Sequence, residues 1–196
     1  MMDVRFEQVF PAAYAVEVLE SVPDDSHVFE RPGSSRSGEV AIEVVTDTGQ
    51  RWVGVAKAGA PSVREALSGA FSTPTKTGLC VVARGDASLV DVDTPERFEI
   101  LDTAGPVVAV RPVVSDGLLL LASPWAVTAL GEDGVRWQTG RLAIERIRLD
   151  EIEGGRLAGV ADPDDDEPRD FVVDLQTGRH EGGALFPKPR ATTPWG

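Results

Sequence analysis

The sequence predicts an all-β protein built of antiparallel meanders and hairpins, and three observations carry that expectation. Apolar runs of a few residues recur along the whole chain, too short for typical helices. Clusters of Gly, Pro, Asp and Ser separate them at strand spacing. A turn containing Thr or Asp returns four times at intervals near those of propeller blades, about 40 residues.

In chain order, the stretch from Ala15 to Leu19 reads as a strand, followed by VAIEVV at 40–45. One helix is expected near 62–69. Ser62 stands three residues before Glu65 as in a capping box, Gly69 terminates it, and Val63, Ala66, Leu67 and Ala70 share a face. Strands resume with LCVVAR at 79–84, SLVDV at 88–92 and VVAVRPVV at 107–114. They continue with LLLLA at 118–122, AVTAL at 126–130, LAIERIRL at 142–149 and FVVDL at 171–175. Along Leu142, Ile144, Arg146 and Arg148 apolar residues give way to basic ones at alternate positions, so the core-facing side of that run is ambiguous.

The recurring turns are DTGQRW at 47–52, DTPERF at 93–98, EDGVRW at 132–137 and LQTGRH at 175–180. From Thr48 to Thr94, Asp133 and Thr177 the steps are 46, 39 and 44 residues. Gly supplies the left-handed conformation that tight hairpin turns demand. Trp52, Phe98 and Trp137 each follow four positions after the Thr or Asp, and the two tryptophans are expected as core anchors. The architecture expected first is a small propeller-like or barrel-like closure, with a β-sandwich second. Residues 1–183 form a single β-rich domain, and 184–196 a Pro-rich tail.

Composition narrows the function. The 196 residues carry 19 Lys plus Arg against 32 Asp plus Glu, a net charge of -13. Such a chain repels phosphate backbones, so nucleic acid is not an expected partner. The longest greasy stretch, 117–130, is broken by Ser123 and Pro124 and falls short of the roughly 20 residues of a membrane helix. A single cysteine and the absence of a leader pattern at the N-terminus point to the cytoplasm.

The carboxy half also carries a pattern of its own. Trp137 follows a Gly turn, and Gly154, Gly155 and Leu157 make a Gly-Gly-x-Leu step. A closing segment holds Phe171, Val173, Asp174, Leu175, Thr177, Gly178, His180, Gly182 and Gly183. This pattern resembles an uncharacterised family of bacterial proteins, the similarity extending forward through 71–85. More loosely, the chain resembles the blades of quinone-type and WD-repeat propellers. These resemblances imply a β-rich fold and no mechanism.

Known catalytic and nucleotide-binding motifs are absent, and no cofactor, metal ligand or catalytic residue is assigned. Were His180 a general base, Asp174 or Glu181 could orient it and Ser72 or Cys80 could serve as nucleophile. The most distinctive feature is acidic. Between Asp150 and Asp170 lie nine Asp or Glu and two Arg, more than half the net charge. The tip comprises Asp162, Asp164, Asp165, Asp166 and Glu167. Alternate carboxylates match a calcium loop in part, but the central glycine and the twelfth-position glutamate are missing. The expected function is therefore a non-catalytic binding protein, an acidic partner or inhibitor of a basic protein, with Trp125 as a further contact residue. The alternatives are an enzyme with a carboxylate and histidine site on strand-end loops, or a calcium- or ligand-binding module.

Overall fold

The computed structural model describes residues 4, 6–30, 38–58 and 63–184. Seventeen strands follow one another through these residues. They are β1 (Phe6–Glu7), β2 (Tyr14–Leu19), β3 (His27–Phe29), β4 (Gly38–Thr46), β5 (Arg51–Ala58) and β6 (Gly69–Ser72). Next come β7 (Gly78–Ala83), β8 (Asp86–Asp91), β9 (Phe98–Ile100), β10 (Ala109–Val113), β11 (Leu118–Ala122) and β12 (Val127–Gly131). The last are β13 (Gly134–Gln138), β14 (Ile147–Glu153), β15 (Arg156–Ala161), β16 (Arg169–Asp174) and β17 (His180–Gly182).

The strands form four separate sheets, mostly antiparallel. Sheet 1 has the order β2-β4-β5-β3, sheet 2 β1-β6-β7-β8-β9, sheet 3 β10-β11-β12-β13 and sheet 4 β14-β15-β16-β17. Two pairings are parallel, β3 with β5 and β1 with β6. Three apolar clusters join the sheets face to face in chain order, as the blades of a propeller are joined. One lies between sheets 1 and 2, a second between sheets 2 and 3, and a third between sheets 3 and 4. Among the described residues no core cluster joins sheet 1 to sheet 4, and no closed barrel forms.

Side-chain alternation explains why the inner two sheets read as unbroken apolar runs. In β7, Leu79, Val81 and Ala83 face sheet 1, whereas Cys80 and Val82 face sheet 3. In β11, Leu118 and Leu120 face sheet 4, whereas Leu119 and Leu121 face sheet 2. Every residue of both strands is buried. A strand covered on both faces has no polar side to show. Among the described residues sheet 4 is covered on one face only, so Phe171 and Val173 of β16 are buried while Asp170 and Val172 are exposed. Arg148, Arg156, Asp170 and Glu181 lie exposed along that outward side.

The four predicted turns occupy related places. In sheets 2, 3 and 4 the turn joins the last two strands of the sheet. In sheet 1 it joins β4 to β5, because β3 returns parallel along the far edge. A relation between alternate sheets is closer still. The Trp52 indole N–H donates to the Val92 carbonyl at 2.9 Å, just beyond β8, and that of Trp137 donates to the Leu175 carbonyl at 2.8 Å, just beyond β16. Both tryptophans are buried, at 7% and 8% exposure, as the sequence predicts. The turns that present those carbonyls are alike. Asp91 accepts the Asp93 amide and the Thr94 hydroxyl, and Asp174 accepts the Thr177 amide and hydroxyl. Gly178 belongs to this latch, since its φ is +70° and a Cβ there would meet the Trp137 ring at 2.7 Å.

The predicted helix does not form in the described part of its span. Residues 63–65 make a bend and turn, 66–68 are irregular, and Gly69 already starts β6. The Leu67 amide instead donates to the Val107 carbonyl, and the Leu67 carbonyl accepts the Gly85 amide, at 2.9 and 2.8 Å. Ala70 packs toward sheet 1 and Phe71 toward sheet 3. This alternation suits a strand and cannot be met by one helical face. A two-turn helix has too few internal bonds to compete with the ladder offered by β7. The strand expected at 15–19 does form, within β2. The proline-rich tail beyond residue 184 lies outside the described residues.

The two indole bonds lead to a stability test. Trp137→Phe and Trp52→Phe keep an aromatic ring and leave one buried carbonyl without its donor. Each is expected to cost about 1–3 kcal/mol, read as a lowered midpoint in thermal unfolding. A midpoint equal to that of the parent protein would show that the latch contributes nothing.

Candidate functional site

The acidic tip lies on the connection from β15 to β16, at one end of sheet 4. Its carboxylates do not act as one group. Asp162 turns inward, is 8% exposed and holds a φ of +50°. Its carboxylate accepts amide N–H groups of Ile144, Glu145 and Arg146 at 2.7–3.3 Å. Its own amide donates to the Arg146 carbonyl at 2.8 Å. The connection from sheet 3 into β14 is thereby bound to the start of the acidic loop. Burial would push the Asp162 carboxyl up, but the three amides, together with nearby Arg141, hold it below the ordinary carboxylate range.

The remaining members point outward. Asp164 pairs with the Arg146 guanidinium, and Glu167 stands 3.6 Å from Arg169. Asp165 accepts the Asp166 amide at 3.0 Å, and the Asp165 amide donates to the Asp162 carbonyl at 3.0 Å. Asp164, Asp165, Asp166 and Glu167 are all exposed. The loop is thus a tight turn with one carboxylate riveted inside and four at the surface. Among the described residues no three His, Cys, Asp or Glu side chains converge where a metal ion could sit. Asp162, the first of the alternate carboxylates that match a calcium loop in part, is committed to backbone amides.

Trp125 is structural in its contacts. It is half-buried, its indole N–H donates to the Ala104 carbonyl, and its ring covers Gly105, where a Cβ would lie 2.8 Å from the ring. Its carbonyl accepts the Leu142 amide at 2.7 Å, and the Arg141 guanidinium stands 5.4 Å above its ring. Trp125 therefore ties the link between sheets 2 and 3 to the link between sheets 3 and 4. No hydrogen bond or ion pair among the described residues joins it to Asp164–Glu167.

The groups weighed for catalysis are divided. Asp174, His180 and Glu181 line one concavity of about 400 Å³ beside Arg156 and Thr177. Asp174 is held below the usual carboxylate range, chiefly by the Thr177 hydroxyl and amide. Ser72 and Cys80 lie in sheet 2, both fully buried. The Ser72 hydroxyl accepts the Val9 and Phe10 amides at 2.9 and 2.8 Å, and burial pushes the Cys80 thiol up to about 12. A thiol so suppressed is not a nucleophile at neutral pH. Sheet 3 stands between these two residues and His180.

The inward role of Asp162 is the one site feature that spacing could not reveal, since its partners lie 16–18 residues earlier. The only sequence signal is an Asp directly after a strand, a residue that tolerates positive φ and bonds nearby amides.

No protein-family model matches the chain, and no curated protein matches it in sequence. Among solved structures it is similar to the N-terminal domain of Nup159, at 11% identity and a TM-score of 0.37. That likeness covers 95% of this chain and 55% of the other, so the chain spans about half that structure's length. A similarity this loose identifies no family and no activity.

The rivet has a pH signature. Because folding lowers the Asp162 pKa, its contribution is present above the unfolded value of about 3.9 and is lost as pH falls through the folded value. Asp162→Ala leaves three amides without their acceptor and is expected to cost about 2–3 kcal/mol at neutral pH. In urea unfolding the gap to wild type should narrow below about pH 4. A gap unchanged between neutral and acid conditions would contradict the carboxylate's role.

Proposed function

We propose that this protein is a non-catalytic β-sheet scaffold that binds a basic protein surface through the loop at Asp164–Glu167. One observation carries the reading. Four exposed carboxylates stand together on a turn whose base is fixed by the buried Asp162, so the charge is presented at a set place. Concentrated charge of one sign steers encounter with an opposite surface and fixes its register. One exposed apolar side chain, Ile144 in the link beside the base of the loop, supplies greasy contact area there. The cytoplasm fits this reading, since the one cysteine is a buried, unpaired thiol. No helix of the described residues is long and apolar enough to cross a membrane.

A second reading rests on a separate observation. The convergence of His180, Asp174 and Glu181 on one concavity supports a small-ligand or carboxylate-and-histidine site there. The two readings use different surfaces of sheet 4 and are separable by mutation.

The test replaces Asp165, Asp166 and Glu167 by Asn, Asn and Gln while keeping Asp162. Capture from the native host, with partners identified by mass spectrometry, should retain a basic protein on the wild type. Its retention should fall steeply with salt, and the triple variant should weaken it about tenfold. Retention equal on both proteins would remove the loop from the function. Retention lost instead on His180→Ala would favour the concavity.

A further inference from the structure

The N-terminal strand completes sheet 2 from outside its meander. Phe6 and Glu7 pair in parallel with Ala70 and Phe71 along the edge of β6. Just beyond, the Val9 and Phe10 amides converge on the buried Ser72 hydroxyl. Val4 and Phe6 pack on the cluster between sheets 1 and 2, while Val9 and Phe10 pack on the cluster between sheets 2 and 3. Phe10 is 5% exposed, and the Phe6 and Tyr14 rings lie 6.3 Å apart. A short extended segment thus fills two apolar seats and covers a strand edge that would otherwise be open.

The ladder and the Ser72 hydroxyl that hold this segment come from residues more than 60 positions later, while its tether to the rest of the chain is short. Pro11 is exposed in the link, and the chain is caught again where the Ala13 amide donates to the Lys76 carbonyl. The seat is therefore complete only after sheets 1, 2 and 3 have assembled. Until the segment arrives, the edge of β6 and the two seats are open to any strand of the same pattern. The segment of a second copy carries that pattern by identity.

We propose that residues 6–10 exchange between two copies of this chain, giving a two-fold dimer in which each Phe6 and Phe10 fills the other copy's seats. A strand that keeps its native neighbours on exchange is a low-cost route to such a dimer. Each copy receives from its partner the same strand that it donates, so only the link must change course. Two chains of net charge -13 repel one another, so added salt favours the dimer. The exchange stands independently of the acidic loop.

Shortening the link tests this directly. With Pro11 and Ala12 deleted, β1 can no longer turn back onto its own β6. Light scattering should then read twice the mass of one chain, and adding Phe6→Ala and Phe10→Ala should return the protein to a single chain. A shortened protein that stays monomeric overturns the proposal. So does a dimer indifferent to the two substitutions, which would place its interface elsewhere. Should the shortened chain fail to fold, judged by its tryptophan emission, wild type decides the question. Refolded at high protein concentration, it should yield a dimer that survives dilution, grows with salt and is lost in Phe6→Ala. Only monomer under those conditions counts against exchange.

Discussion

The structure depends on burying both faces of β7 and β11. Neither strand can leave one side to water, because Leu79 to Val82 and Leu118 to Leu121 are apolar at every position. Sheets 2 and 3 therefore each need a neighbour on both sides, and the face-to-face order of the four sheets follows from that need. Sheets 1 and 4 each need one neighbour and can turn charged residues outward. The indole bonds of Trp52 and Trp137 add direction to this greasy stacking, each fixing one sheet against a chosen carbonyl of the next.

Most of this was legible wherever the pattern was local. LLLLA and FVVDL were both legible as strands, and the structure adds that the first is covered on both faces and the second on one. The ambiguous run from Leu142 to Arg148 resolves into two parts. Leu142 is buried in the link before the strand, Ile144 is exposed, and only from Ile147 do Ile147 and Leu149 take the inward face. The phase slips because Asp162 binds the amides of Ile144 to Arg146 and fixes the chain outside any ladder. The helix expected near 62–69 illustrates the opposite case. Its cap and apolar spacing were sound as local signals, and they were overridden by a ladder partner, β7, that begins only at Gly78.

The surface features divide along the same line. Exposed carboxylates at Asp164 to Glu167 were readable as a charge run, since solvated loops keep their charge outside. The separate employment of Asp162 was not readable, because its partners belong to the preceding link. Trp125 was placed as a contact residue from its position after a proline, whereas its indole, carbonyl and ring are each engaged in joining two links. His180 and Asp174 meet in a concavity because β16 and β17 are paired, a relation the Thr-Gly turn between them already implied.

The charged outward side of sheet 4 also sets how far the architecture can grow. A fifth sheet laid on it would have to strip water from Arg148, which pairs with Asp150, and from Arg156, Asp170 and Glu181. Apolar facing residues could not replace that water. On that side the exposed charges oppose further stacking. Any gene duplication that lengthened it there would first have to rewrite that row as the all-apolar text of β7 and β11.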